Sequence, residues 1–354
     1  MKFLITGGAG FVGANLALYF AERDHQVLCL DNLARRGSEL NLPLFKEKKI
    51  GFVHGDIRNP EDLPKEKFDY VFECSAQPSA IDGYDNPIFD FTNNTVGLLN
   101  VLEYARKNDS AIIFWSTNKV YSGDRVNAIP FREYETRCSW DSSVYVDSDE
   151  LKGFSYDHGI SERFSIDGDQ HSIYGMSKAM ADLACQEYFD AFGLRTVVNR
   201  FSCLAGARQW GKCAQGWVAW WAIAAHLGYP VKYIGWGGKQ VRDVLFIDDI
   251  CRLVELQTQK IDVASGKVFN IGGSYMNTLS LIEATMLMEK MFGKKMDVSE
   301  VKEARKADHL IYISDIRKAN RLLGWEPKIG IKEGYESIMR WVRNNENVLR
   351  GLYE

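Results

Sequence analysis

Tyr174 and Lys178, in Tyr-Gly-Met-Ser-Lys, are the pair best suited to chemistry. A spacing of four places both side chains on one face of a helix. An ammonium beside a phenol stabilises phenolate, bringing a group with an ordinary pKa of about 10 into range as a general base. Upstream, Ser116 and Thr117 in WSTNKVYS close an apolar run that reads as a strand. A hydroxyl at that strand end can meet Tyr174 across a bound reactant. Thr117, Tyr174 and Lys178 are therefore the candidate catalytic set.

Gly7, Gly10 and Gly13 in TGGAGFVG follow the first strand-like run and open the first helical pattern. The first glycine permits a tight turn, the second lets the backbone approach a pyrophosphate, and the third lets helix and strand pack closely. The helix N-terminus, with Phe11 and Val12, then faces the anion. Asp31 ends QVLCLD at the position where a carboxylate accepts from both adenosine ribose hydroxyls. That favours NAD over NADP, because a 2′-phosphate would be repelled. Asn32 and Arg36 follow on a loop at the adenosine side, although Arg35 and Arg36 are also of a type to grip a 2′-phosphate. Asp56 and Ile57, in HGDIRNP after the third strand, are placed to touch adenine; the alternative is a helix cap ahead of NPEDL. Ser75, Ala76 and Gln77 after the fourth strand, Asn94 in the next helical segment, and Ser116, Tyr174, Lys178 and Phe201 complete the expected cofactor channel.

The elements that must position these groups alternate in βαβ fashion. Strands are expected at 2–6, 26–31, 51–54, 70–74, 111–116 and 195–201, and helices over a stretch ending near 21 and at 97–107 and 177–192. The prediction is α/β: a doubly wound parallel Rossmann sheet occupying 1–204, with a smaller C-terminal substrate-binding lobe over 205–354, partly interwoven with it. Between 122 and 171 the periodicity fades and Asp, Ser, Gly and aromatic residues accumulate. This reads as a long insertion with some structure of its own, lying over the site, with His158 and His171 candidates for its inner face. In the lobe a helix is expected at 215–227 and strands at 231–234 and 268–271. Arg242, Arg305 and Asp308 are the candidates for a nucleotide diphosphate and its neighbours, since an Arg fork matches phosphate oxygens bidentately. Gln77, Thr117, Asn118, Cys203, Gln215 and Trp217 are expected around a substrate, the alternative for Trp217, Trp220 and Trp221 being lobe core.

Lys plus Arg number 43 against 47 Asp plus Glu, a net charge of −4 that supplies no cationic field for nucleic acid. The seven cysteines are scattered, without Cys-x-x-Cys spacing, and fit buried thiols in a reducing compartment rather than disulfides or a metal site. No apolar stretch approaches the length of a membrane span, and the apolar run at the N-terminus is too short for a secretory signal, so a cytoplasmic enzyme is expected.

Taken in order, TGGAGFVG, LDN, GDIR, NTVGLLNVLE, STNKVY, YGMSK, QVRDVLFIDD and LLGWEP resemble the extended short-chain dehydrogenases/reductases, in their NAD-dependent epimerase/dehydratase branch. Within it, STNKVY, the Gln77 loop, FSCLAG and QGWVAW most resemble the epimerases of CDP-linked sugars. The resemblance implies Thr117, Tyr174 and Lys178 as catalytic residues and tightly held NAD. It also implies a nucleotide-sugar substrate and a homodimer or homotetramer pairing through the helices near 95–107 and 176–192. The implied reaction inverts a sugar hydroxyl by transient oxidation and re-reduction. The related dehydratases carry an Asp-Glu pair directly after the threonine, because eliminating water needs an added acid and base. Here Asn118 cannot ionise and Lys119 is cationic, which disfavours dehydration. The chain departs from the family in Ser122, where glycine is usual, and in the long 122–171 segment. A UDP-hexose 4-epimerase and a non-catalytic NAD-binding protein are the alternative readings.

Overall fold

The computed structural model describes residues 1–146, 149, 151–168, 170–212 and 215–353. Seven parallel strands form the central sheet: β1 (Lys2–Thr6), β2 (Gln26–Asp31), β3 (Gly51–His54), β4 (Tyr70–Glu73), β5 (Ala111–Thr117), β6 (Thr196–Phe201) and β7 (Lys267–Ile271). Their order is β7-β6-β5-β4-β1-β2-β3, so the sheet reverses winding between β1 and β4. Open α/β sheets bind ligands outside the strand C-termini at such a reversal. The middle strands are buried on both faces and read as continuous apolar runs, β5 being AIIFWST with every residue buried.

The helices that matter for the site are α1 (Phe11–Ala21), α2 (Gly97–Asn108), α3 (Ile173–Phe192), α4 (Trp217–Leu227) and α5 (Ile247–Gln259). α1 is nearly apolar all round and buried between the sheet and α5, where the Tyr19 hydroxyl donates to Glu255 at 2.8 Å. α3 begins four residues before the expected 177. Ser172 caps it by accepting the Gly175 N–H at 2.9 Å, and Gly193 ends it in the left-handed region at φ 66°. Tyr174 consequently sits in the first turn rather than ahead of the helix.

The chain does not leave the sheet layer at residue 204. The strand expected at 268–271 as part of the lobe is β7, paired in parallel with β6. α5 covers α1, and Ala319, Leu323 and Trp325 are buried in the same core as Phe3 and Ile5. The physical reason is burial: β6 is buried on both faces and α1 is nearly apolar all round, and only later chain can cover the second side of each.

The lobe proper is built round α4, whose Trp220 and Trp221 are buried, and round the strand Val241–Phe246 with its neighbours Cys203–Ala205, Thr278–Ser280 and Ile311–Tyr312. The 122–171 segment holds two small antiparallel pairs, Phe131–Glu133 with Cys138–Trp140 and Phe154–Ser155 with Gly159–Ile160. Contrary to expectation, none of its described residues lines a site cavity. It braces the lobe instead: the Cys138 N–H donates to Lys239 O at 2.9 Å, and Arg137 pairs with Glu283. His158 is exposed, while His171 hydrogen-bonds Val120 O at 2.7 Å. Of the cysteines, Cys213 lies outside the described residues and the other six are free thiols. No described helix is long and apolar enough to cross a membrane.

Candidate active site

Two cavities meet above the C-terminal ends of the strands. The first is lined by Gly7, Gly10, Phe11 and Val12 of the glycine turn, by Cys74, Ala76 and Pro78 after β4, by Trp115, Ser116 and Thr117 of β5, by Tyr174 and Lys178 of α3, and by Phe201. Arg35, Ser38, Leu204, Gln209 and Trp210 complete its wall. The second is lined by Asn118, Lys119, Trp217, Trp221, Lys232, Ile234, Gln240, Arg242, Leu281, Arg305 and Asp308. Ser202, Cys203, Gln215 and Gly216 belong to both, so the cavities are contiguous.

The first cavity fits a dinucleotide. Gly7 turns the chain at φ +63°, and a Cβ there would meet the Cys74 carbonyl carbon at 2.7 Å. A Cβ on Gly13 would meet Gly7 O at 2.4 Å, which is the close helix-to-strand packing expected of it. Gly10 is different: a Cβ would meet only Gly7 O, at 3.2 Å, because its other side is the cavity. Gly10 also caps α1 with no side-chain acceptor, leaving the first-turn N–H groups available to an anion. Asp31 is buried at the end of β2 and accepts from Ala9 N at 3.0 Å and Leu33 N at 2.8 Å. Burial raises its pKa, and these backbone donors oppose the rise.

Several expected cofactor residues lie outside the lining. Arg36 is exposed and donates to Gly351 O at 3.1 Å, whereas Arg35 turns inward and donates to Gln215 at 2.7 Å. Successive loop residues point oppositely, and the inward one is Arg35. Asp56 is gripped by Arg58 and by Asn32, whose Nδ2 donates at 2.9 Å; the Arg58 hydrogen bond holds its carboxyl down at about 2. Ile57 packs against Gly97. The Gln77 side chain folds onto Ser79 of its own loop, away from both cavities. Asn94 accepts from Gln77 N at 2.9 Å and donates to Gln77 O, Asp90 and Ser177, at 3.1 Å each. It staples the β4 loop to α3, and it lies in a π-helical turn, Thr92–Val96, leading into α2. Ser75 does not line the cavity, while its neighbours Cys74 and Ala76 do.

At the junction, Thr117 and Tyr174 are within hydrogen-bonding reach through their hydroxyls. Burial pushes the Tyr174 phenol up to about 12, the Thr117 hydrogen bond lowers it and Asp90 raises it. Lys178 is not among the groups that move the phenol in this structure. The Lys178 ammonium lies over the Phe114 ring, 4.2 Å from its centroid, and burial lowers its own pKa. Ser116 donates to Asp182 at 2.6 Å, and Asp182 also takes a two-point ion pair from Arg200, which locks α3 to β5 and β6.

In the second cavity Lys119 and Arg242 converge on one carboxylate oxygen of Asp308, at 2.6 and 2.8 Å. These two cations hold the Asp308 carboxyl far below the usual carboxylate range against the effect of burial. Arg305 lines the same wall. Such a cluster suits a diphosphate, and Trp217, Trp221, Ile234 and Leu281 give it an apolar flank. Gln240 and Lys232 are lining residues that the sequence did not single out, and Lys119 was singled out there only as no acid for dehydration. For Gln240 the signal was its place two residues before Arg242, on the same side of an extended segment.

The sequence profile of the NAD dependent epimerase/dehydratase family matches residues 3–272. The chain belongs to the NAD-dependent epimerase/dehydratase family. It is an NAD-dependent enzyme with a Rossmann-type sheet. The family relatives include the CDP-paratose 2-epimerase of Salmonella typhi, 37% identical over 96% of this chain and 99% of that protein. The UDP-glucuronate 4-epimerase of Thermodesulfobacterium geofontis is 26% identical over 99% of this chain and 98% of its own length. Among solved structures, the UDP-glucose 4-epimerase of Thermotoga maritima with UDP-glucose superposes with a TM-score of 0.76 at 26% identity, covering 98% of this chain and all of that one.

Proposed function

We propose that this enzyme is a nucleotide-sugar epimerase that inverts one hydroxyl-bearing carbon, and that the substrate is a CDP-linked dideoxyhexose inverted at C2. The observation that carries the reading is the contiguity of the two cavities, with Thr117 and Tyr174 on one side and the cations around Asp308 on the other. Arg242, with Arg305 and Lys119 near it, holds the diphosphate, so the sugar reaches back past Cys203 and Gln215 to Tyr174. Gly7, Gly10, Phe11 and Val12 hold the NAD pyrophosphate. Asp31 sits by the adenosine ribose, and Lys178 by the ribose nearer the reaction. NAD⁺, when bound, supplies the transient oxidation of the carbon and its re-reduction, with no net redox change. Tyr174 takes the hydroxyl proton and returns it, and Thr117 orients that hydroxyl. Asn118 and Lys119 offer no acid and base for eliminating water.

The CDP-sugar reading is supported by the 37% likeness to a CDP-paratose 2-epimerase and by the apolar flank of the cavity, which suits a sugar short of hydroxyls. Exposed Leu99 of α2 and Met180, Leu183 and Phe192 of α3 make these helices the seam of a homodimer in the same reading. The test is to incubate CDP-paratose, and separately UDP-glucose, with enzyme and no added reductant, and to follow the sugar protons by NMR in deuterated water. Inversion of the first at C2 without solvent deuterium is the expected result. Inversion of the second alone would move the assignment to a UDP-hexose 4-epimerase, and a 4-keto-6-deoxy product would refute both.

A further inference from the structure

One buried ionisable group has no part in the scheme above. Glu73 ends β4 and is 1% exposed, and neither carboxylate oxygen meets a donor of ordinary hydrogen-bond geometry among the described residues. The register sets it between Thr6 of β1 and Phe114 of β5. Over the Phe114 ring lies the Lys178 ammonium, itself on a residue 1% exposed. The other ionisable groups facing Lys178 are Asp182, Cys185, Cys74 and Asp90, the last engaged by Asn94 and Ser177. Asp182 is committed to Arg200 and Ser116, and burial holds both thiols far above their ordinary range. Ser75 and Thr6 are the remaining polar neighbours of Glu73.

A buried carboxylate with only the weak support of Ser75 and Thr6, and an ammonium set against a phenyl ring, are each costly to bury alone, and each is tolerable when the other is charged. We propose that Glu73 is a positioning residue: its carboxylate is the buried counter-charge of Lys178, keeping that ammonium protonated and turned to the cofactor cavity. The electrostatics agree. Burial pushes Glu73 up to about 7, with Lys178 the strongest influence pulling it back; burial lowers Lys178, with Glu73 the strongest influence raising it. The proposal rests on the reading of Lys178 as the cation serving the cofactor, and its first test is independent of any substrate.

That test is a double-mutant cycle read by thermal melting from about pH 6 to 9. A carboxyl whose folded pKa is raised contributes stability below its unfolded pKa and loses it as pH rises through the folded one. In wild type that loss ends a little above neutrality. In Lys178→Met the carboxylate has no partner, its pKa climbs, and the melting temperature should go on falling into the alkaline range. The fall should vanish in Glu73→Gln/Lys178→Met; equal falls in the single and double variants would overturn the proposal. The second test titrates NAD by quenching of the cavity tryptophans Trp115 and Trp210. In Glu73→Gln the alkaline loss of NAD affinity should move down by about one to three pH units, the effect of removing a neighbouring opposite charge. Glu73→Asp should restore most of it. A profile in Glu73→Gln that matches wild type would overturn the proposal, whereas failure of every sugar to turn over would count only against the substrate assignment.

Discussion

In the reading proposed above, the cofactor end and the substrate end of the site are built from different materials. The cofactor end is chiefly backbone: a turn at Gly7, an open face at Gly10, the N-terminus of α1, and one carboxylate held by backbone N–H groups. The substrate end is made of side chains from segments far apart in the chain, Lys119, Arg242 and Asp308 being tied into one cluster. A backbone cradle tolerates almost any flanking sequence but accepts one ligand class. A side-chain cluster can be retuned residue by residue. The difference explains how relatives in one NAD-dependent family carry the names of epimerases for different nucleotide sugars.

The comparison can be broken at the junction, where the largest effect is expected. Tyr174→Phe should lower kcat by about 10²- to 10⁴-fold, the usual worth of a positioned general base, while NAD and nucleotide-sugar affinities persist. Near wild-type turnover, measured by NMR on the purified variant, would remove the phenol from the mechanism. The next effect separates the two ends. Arg242→Gln should raise KM for the nucleotide sugar about 10- to 100-fold, from a charged hydrogen bond worth about 1.5–3 kcal/mol, and leave NAD affinity unchanged. Equal losses of both affinities would mean that the cavities do not divide their ligands as described. The smallest effects concern two adjacent arginines. Arg35→Ala should weaken NAD binding by about 1 kcal/mol, and Arg36→Ala should stay within about 0.5 kcal/mol of wild type in both binding and stability. The reverse ranking in an NAD titration would return Arg36 to the cofactor.

Much of the cofactor end was legible in the sequence because its geometry is local. The strands Lys2–Thr6, Gln26–Asp31 and Gly51–His54 fall at the bounds their apolar runs indicate, and Gly10 and Gly13 are constrained by Gly7, a few residues away. Legibility failed where a side chain had two destinations. Gln77 and Asn94 are polar residues beside a cofactor channel, yet the Gln77 amide is consumed by its own loop and the Asn94 amide by a loop and a helix distant in sequence. Arg35 and Arg36 are the same residue type on one turn, and only the path of the loop decides which points inward. Tyr174 and Lys178 were correctly placed on one helix face, but in the proposed reading the charge of Lys178 depends on Glu73, which in the sequence is merely an acid at the end of a strand.

The placement of β7 and Trp325 bears on how the protein is made. The core that holds Phe3 and Ile5 also needs Phe269, Ile271, Leu323 and Trp325, so the first strand synthesised is among the last to be fully covered. At about 5–20 residues per second, β6 waits roughly 6 to 25 seconds on the ribosome before Trp325 exists. Until β7 follows, the nascent sheet presents an unpaired edge at β6, and its apolar face stays uncovered until Leu323 and Trp325 arrive. Arg305 and Asp308 precede Leu323 and Trp325 in the chain, so the cluster that would hold a substrate is synthesised before the last residues of the core that carries it.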